Sequence, residues 1–179
     1  MAPTTTTKTV EEPPKSQSQP QSQSQSQSQP QTQQQPKEED TPADLDSMTD
    51  LIDQNTFDQI LEMDDDDDDR EFSKGIVFGF FDQAESTFDK MEKALEEKKL
   101  AELSSLGHFL KGSSATLGLI KVKDACEKIQ HFGAGKDETG STDEPDDEVS
   151  LKNIQKTLTQ AKKDYKEVEK FLRKYFGES

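Results

Sequence analysis

The sequence has little of what builds a large core or a membrane segment. Hydrophobic residues make up 28% of its 179 positions, tryptophan is absent, and no apolar run approaches the roughly 18 residues of a membrane span. A single cysteine, Cys126, excludes an internal disulfide framework and is typical of a reducing compartment. The N-terminus lacks the apolar segment of a signal peptide. These absences predict a soluble protein of the cytoplasm and nucleus.

Basic residues are also scarce. The chain has 22 Lys and Arg against 38 Asp and Glu, which gives a formal net charge of −16. Phosphate groups of nucleic acids and anionic lipids are bound mainly by Lys and Arg. We therefore expect neither nucleic acid nor a membrane as a partner, and we expect a monomer.

Residues 1–46 hold almost nothing apolar to bury. They contain a threonine run, alternating Ser-Gln from Ser16 onward and a Gln-rich stretch broken by prolines. This composition predicts a disordered tail, most simply a spacer. The tail has seven acidic residues and three lysines. Most of the negative charge therefore belongs to the folded part, which we expect to span 47–179.

The folded part shows helical periodicity and no strand pattern. A short amphipathic helix is expected near 50–62, with Ser47 and Asp50 as candidate caps. The six carboxylates from Asp64 to Asp69 predict a connection that also favours the start of the next helix, while a calcium loop is disfavoured because the ligand spacing is missing. Long helices are expected over 72–97, from about 100 to 118, over 122–132 and over 150–176, with an acidic loop at 136–148. The chain should be all-α, an antiparallel four-helix bundle with a short additional N-terminal helix.

His108 lies opposite the apolar stripe of the third predicted helix. The stripe is formed by Leu103, Leu106, Leu110 and Leu117, at spacings of three, four and seven. All but one of the residues on the outer face around His108 are small, namely Ala101, Ser104, Ser105, Gly112 and Ala115, and the exception is Lys111. A mid-helix glycine costs about 1 kcal/mol relative to alanine, which suggests that space is needed at Gly112.

Two simpler interpretations remain open at this point. His108 can be an ordinary surface histidine, and the small residues can pack against another helix of the bundle. His131, the second histidine, is interpreted as ordinary because its neighbours Glu127 and Lys128 are long. Cys126 lies on the apolar face of its helix and is most simply a buried small residue.

The run from His108 to Ser114 resembles the His-x-x-Lys-Gly-Ser/Ala-Ser/Ala signature of histidine-containing phosphotransfer domains. The longer run 106–119 is similar to the fungal intermediates of osmosensing phosphorelays, and so are the segments 72–75, 81–84 and 126–130. The resemblance covers about residues 47–179. It departs at Ala134, where the family often has a basic residue.

The resemblance implies a phosphorelay intermediate. His108 would accept a phosphoryl group from an aspartyl phosphate on one receiver domain, such as one attached to a hybrid sensor histidine kinase. It would pass the group to an Asp of a downstream response regulator. The chain would need no cofactor or metal of its own, because the divalent metal would sit on the receiver. Since no Gly-rich phosphate loop occurs in the sequence, we expect no kinase activity.

Four further residues are candidates for the site. Lys111 would neutralise phosphoryl charge, Gly112 would leave room for the partner, and Ser113 would donate a hydrogen bond. Gln130 matches a glutamine of the fungal family and would bond the imidazole nitrogen that does not react. The expected partner-binding surface comprises Phe57, Ile60, Leu61, Met63, Phe72, Phe109, Gly112 and Ala115. The alternative function is a helical adaptor that binds receiver-like partners without chemistry.

Overall fold

Five α-helices form the part of the chain that the structure, a computed structural model, describes, namely residues 44–65 and 70–178. These residues belong to one structural unit, 40–179. The predicted tail at 1–46 lies almost wholly outside the described residues. A 3₁₀ turn at Leu45–Met48 comes first, followed by α1 (Gln54–Leu61), α2 (Glu71–Glu96), α3 (Leu100–Thr116), α4 (Ile120–Gly133) and α5 (Asp147–Tyr175).

Helices α2 to α5 form the predicted antiparallel four-helix bundle. Short connections of a few residues link α2 to α3 and α3 to α4, as expected for neighbouring antiparallel helices. Helix α3 packs on α4, α4 packs on α5, and α2 closes the bundle against α3 and α5. The predicted stripes supply the core: among the fully buried large side chains are Val77, Phe81, Met91, Leu103, Leu110, Ile129, Ile154, Tyr165 and Leu172.

Side-chain caps set where two of the long helices begin. Asp64 Oδ1 accepts hydrogen bonds from the backbone N–H groups of Phe72 and Ser73, each at 3.0 Å, at the start of α2. The predicted role of an acidic residue at this end is thus confirmed for Asp64, while residues 66–69 lie outside the described part. Asp146 caps α5 by accepting from Glu148 N, so α5 begins three residues earlier than predicted.

The predicted helix over 50–62 is wrong in its first turn. Leu51 and Ile52 are buried but lie before α1, and Ser47 caps nothing there because its hydroxyl donates to Asp44 O. The connection between α3 and α4 holds this segment instead. Asp53 N donates to Gly118 O at 2.8 Å, and Ile120 N donates to Leu51 O at 2.9 Å. These backbone bonds compete with the i→i−4 pairing that a helix would need.

Two glycines allow α3 and α4 to approach closely. A Cβ at Gly107 would lie 2.8 Å from Cys126 O, and one at Gly133 would lie 2.5 Å from Ser104 N. Both clashes are with backbone atoms, which cannot move aside as a flexible side chain can. The hydroxyl of Ser104 donates to Gln130 O at 2.8 Å across the same contact. The close packing brings the residues of α4 next to the outer face of α3.

Candidate functional site

His108 projects into solvent from the middle of α3. It is exposed, whereas Leu103 and Leu110 on the opposite face are fully buried. The space one turn further along is open, because a Cβ built at Gly112 meets no heavy atom within 4 Å. The imidazole therefore stands on a surface that a second macromolecule can reach, as the sequence predicted.

The small residues around His108 divide into two groups. Ala101, Ser105 and Ala115 are exposed, as expected for a cleared surface. Ser104 instead faces α4, where its hydroxyl bonds to the backbone. The packing interpretation is thus correct for Ser104, and the open-surface interpretation is correct for the rest.

Lys111 is held by a residue of α4. Its ammonium lies 3.3 Å from a carboxylate oxygen of Glu127, and its side chain is 27% exposed. The candidate cation is therefore in place one turn from His108, but it is already paired. The sequence gives no sign of this role for Glu127, because the pairing depends on the packing of α3 against α4.

Of the two polar candidates, only Gln130 was predicted to bond His108, whereas Ser113 was predicted to donate a hydrogen bond to the next turn or to the partner. The hydroxyl of Ser113 donates back to Phe109 O at 3.4 Å within α3. Gln130 Oε1 is buried and accepts no hydrogen bond from the protein. The expected bond between Gln130 and the His108 ring does not occur among the described residues. Gln130 remains a candidate because a buried amide oxygen without a donor is unfavourable.

Five of the eight predicted partner-binding residues are exposed. Met63, Phe72 and Phe109 expose about half of their area or more (59%, 49% and 50%), and Gly112 and Ala115 are also open. Single exposed apolar residues are ordinary on a protein surface, so the exposure of these three leaves them accessible to a partner without by itself defining a contact surface.

The prediction is wrong for Phe57 and Ile60. Phe57 is fully buried, with its ring edge-on to Tyr175 at 6.1 Å between centroids, and Ile60 is 6% exposed. Both point into the core because α1 packs one face on the bundle. Leu61 is half-buried and packs against the core, so it contributes at most an edge to the surface.

Three further positions considered in the sequence are His131, which contacts a loop, Cys126, which is buried, and Ala134, which carries no charge. His131, interpreted as ordinary, lies half-buried with Nδ1 3.0 Å from Glu138 O, and so contacts the loop before α5. Cys126 is buried as predicted, and burial raises the pKa of its thiol to about 12. Ala134 is exposed and brings no second cation to the surface.

Residues 44–65 and 70–178 hold neither a candidate metal site nor a helix that could span a membrane. No cluster of three or more His, Cys, Asp and Glu side chains there is placed to hold a metal ion. None of the helices in this part has both the length and the apolarity that a bilayer crossing needs.

Comparison with known proteins identifies an Hpt domain and relatives that are phosphorelay proteins. Residues 76–164 match the Hpt domain family. The chain is 49% identical over 126 residues to Multistep phosphorelay regulator 1 of Schizosaccharomyces pombe, covering 70% of this chain and 42% of that protein. It is 51% identical over 85 residues to the phosphorelay intermediate protein YPD1 of Saccharomyces cerevisiae, covering 47% of this chain and 50% of that one. The chain thus spans half or less of the length of these two curated relatives.

The match to a solved structure of Ypd1 extends over nearly the whole of the Ypd1 chain. Ypd1 from Saccharomyces cerevisiae, co-crystallised with the receiver domain of its downstream response regulator Ssk1, matches with a TM-score of 0.63 and 36% identity. The match covers 72% of this chain and 95% of the Ypd1 chain. With the bundle, the exposed His108 and its signature run, this match shows that the chain belongs to the histidine-containing phosphotransfer (HPt) domain family.

Proposed function

We propose that this protein is a phosphoryl carrier between receiver domains. His108 takes the group from an aspartyl phosphate of one receiver and delivers it to an aspartate of another. The observation that carries the proposal is an exposed imidazole with open space at Gly112 and a cation, Lys111, one turn away. Ypd1, a relative of known structure, has been crystallised with a receiver domain, which supports the same class of partner here.

The transfer needs little chemistry from this chain. A lone pair on an imidazole nitrogen of His108 forms the N–P bond while the P–O bond to the partner's aspartate breaks, and that electron pair leaves with the carboxylate. The ring keeps its other N–H and carries a positive charge until that proton goes to solvent. Delivery to the second receiver reverses these steps. The divalent cation of the reaction would be supplied by the receiver.

The exposed apolar side chains are the contact that this proposal assigns to the receiver. Phe109 directly follows His108, and Met63 and Phe72 flank the capped start of α2. Aromatic and methionine side chains are enriched at the centres of protein interfaces. A carrier must bring two reacting groups together in line, and in this proposal the docking of the receiver on these side chains does so.

An adaptor without chemistry is the alternative, and one experiment separates the two. The full chain is incubated with a phosphorylated receiver domain, and the modified residue is located by mass spectrometry under alkaline conditions, in which phosphohistidine survives. We expect label on His108 and none on the His108→Gln variant, whose melting temperature should match wild type because the side chain is exposed. Receiver binding without label on the wild-type chain would instead favour the adaptor.

A further inference from the structure

The pairing of Lys111 with Glu127 bears on how tightly the phosphoryl group is held. The ion pair joins α3 to α4 with 3.3 Å between nitrogen and oxygen, and the Glu127 side chain is 46% exposed. The same two helices approach each other closely at Gly107 and Gly133. Glu127 is therefore a built-in anion next to the cation that the proposed chemistry would use.

We propose that Glu127 is a positioning residue that competes with the phosphoryl group for Lys111 and so makes phosphorylated His108 a better donor. This inference rests on the proposed function. A lysine ammonium is a compact charge that favours the nearest anions. When the phosphoryl group arrives with its two negative charges, Lys111 must turn toward it from Glu127 or be shared. The phosphorylated state loses part of the existing ion pair, whereas the free state keeps it.

The consequence is a shift in the transfer equilibrium. Without Glu127, Lys111 is free to stabilise the phosphoryl group, so phosphohistidine becomes more stable and passes its group on less completely. A partly exposed ion pair has a modest energy, which corresponds to a shift of about two- to fivefold in an equilibrium constant. Because the groups are partly exposed, high salt should reduce the shift.

The test measures phosphoryl exchange between the full chain and one receiver domain, at equilibrium, for wild type and Glu127→Gln. We expect the equilibrium constant to shift about two- to fivefold toward the phosphorylated variant, with an unchanged melting temperature because Glu127 is on the surface. The matched control is Glu92→Gln, which removes one partner of the Glu92–Lys162 ion pair between α2 and α5. This control should leave the equilibrium at the wild-type value.

A double-variant cycle shows whether Glu127 acts through Lys111. In a Lys111→Gln background, Glu127→Gln should produce no further shift of the equilibrium. An equal shift in both backgrounds would mean that Glu127 acts on the phosphoryl group directly and would overturn the proposal. An unchanged equilibrium in the single variant would also overturn it.

The two proposals fail in different ways. If wild type takes no label at His108, the carrier function itself is wrong. If wild type and Glu127→Gln are both labelled and share one equilibrium constant, the carrier function stands and the competition for Lys111 is ruled out.

Discussion

Two glycines in α3, five residues apart, have opposite surroundings. Gly107 faces α4, where a Cβ would lie 2.8 Å from Gln130 N. Gly112 faces open space. The helical pattern singled out Gly112 because it follows His108 by one turn, but it gave no sign of the contact at Gly107. A close approach between helices depends on which faces meet, and one helix's periodicity cannot show that.

Gly112→Gln should separate stability from transfer. Glutamine has a better helix propensity than glycine, by up to about 1 kcal/mol, and its Cβ has no clash, so the melting temperature should rise or stay level. Transfer should fall by roughly 100-fold, because a side chain beside the imidazole displaces the reacting atoms by an ångström or more. Thermal melts and transfer rates to a receiver measure the two effects on one sample.

Gly107→Ala is the matched control at the other glycine. Its new methyl group meets backbone atoms of α4, so it should destabilise the fold by about 1–3 kcal/mol. If Gly112→Gln were destabilised to the same extent and still transferred phosphoryl groups when folded, Gly112 would be a packing residue and not an opening for the partner.

At the scale of elements, the apolar pattern of α1 correctly predicted that a short amphipathic helix forms, but not which of its residues are buried. Eight residues make barely two turns, so the bundle decides the orientation. The predicted start of α1 was too early for a related reason. Ile52 pairs with Leu119 of the α3–α4 connection, which is a contact between segments far apart in sequence.

Ile60 and Met63 should therefore respond differently to truncation. Ile60→Ala removes buried methyl groups and should lower the free energy of unfolding by about 2–5 kcal/mol. Met63→Ala removes an exposed side chain, so stability should barely change while receiver affinity falls. Denaturant unfolding measures the free energy of unfolding of each variant, and a binding titration measures the affinity of each for the receiver. Unchanged affinity in Met63→Ala would remove Met63 from the docking surface.

The cap of α2 predicts a dependence of stability on acid. Burial acts to raise the pKa of Asp64, but hydrogen bonds from Ser73 and Phe72 outweigh it and hold the pKa below its usual value of 3.8. A carboxyl whose folded-state pKa is lowered stabilises the protein above its unfolded pKa, and this stabilisation is lost as the pH falls through the folded value.

Asp64→Ala should accordingly melt below wild type at neutral pH, and the gap should narrow as the pH falls below 3.8. Asp65→Ala, which removes the neighbouring carboxylate, serves as the control and should follow the wild-type profile. A gap that stays constant with pH would mean that the loss comes from something other than the charged cap.

For the whole molecule, the sequence predicted most of the architecture and part of the site. Helices α2 and α5 are long, so their stripes, which include Met91 and Leu172, left little ambiguity about which face is buried. His108 and Gly112 were found because their spacing is local. Glu127 was not found, because its link to Lys111 exists only once α3 and α4 are packed.

Truncation from the N-terminus tests where the folded unit begins. Removing residues 1–43 should leave the melting temperature and the transfer rate essentially unchanged, because that segment has almost nothing apolar to bury. Removing residues 1–53 also deletes buried Leu51 and Ile52. Burial of one such side chain stabilises by about 1.5–3 kcal/mol, and each kcal/mol is worth about 2–4 °C in a chain of this size.

The longer truncation should therefore melt at least about 5 °C lower than the shorter one. It also leaves Leu119 uncovered and frees the Gly118 carbonyl that accepts from Asp53 N. Both chains are compared by thermal melts and by transfer from the same phosphorylated receiver. A large loss of stability or transfer rate in the shorter truncation would show that the Gln-rich segment packs on the bundle or binds the receiver, against its composition.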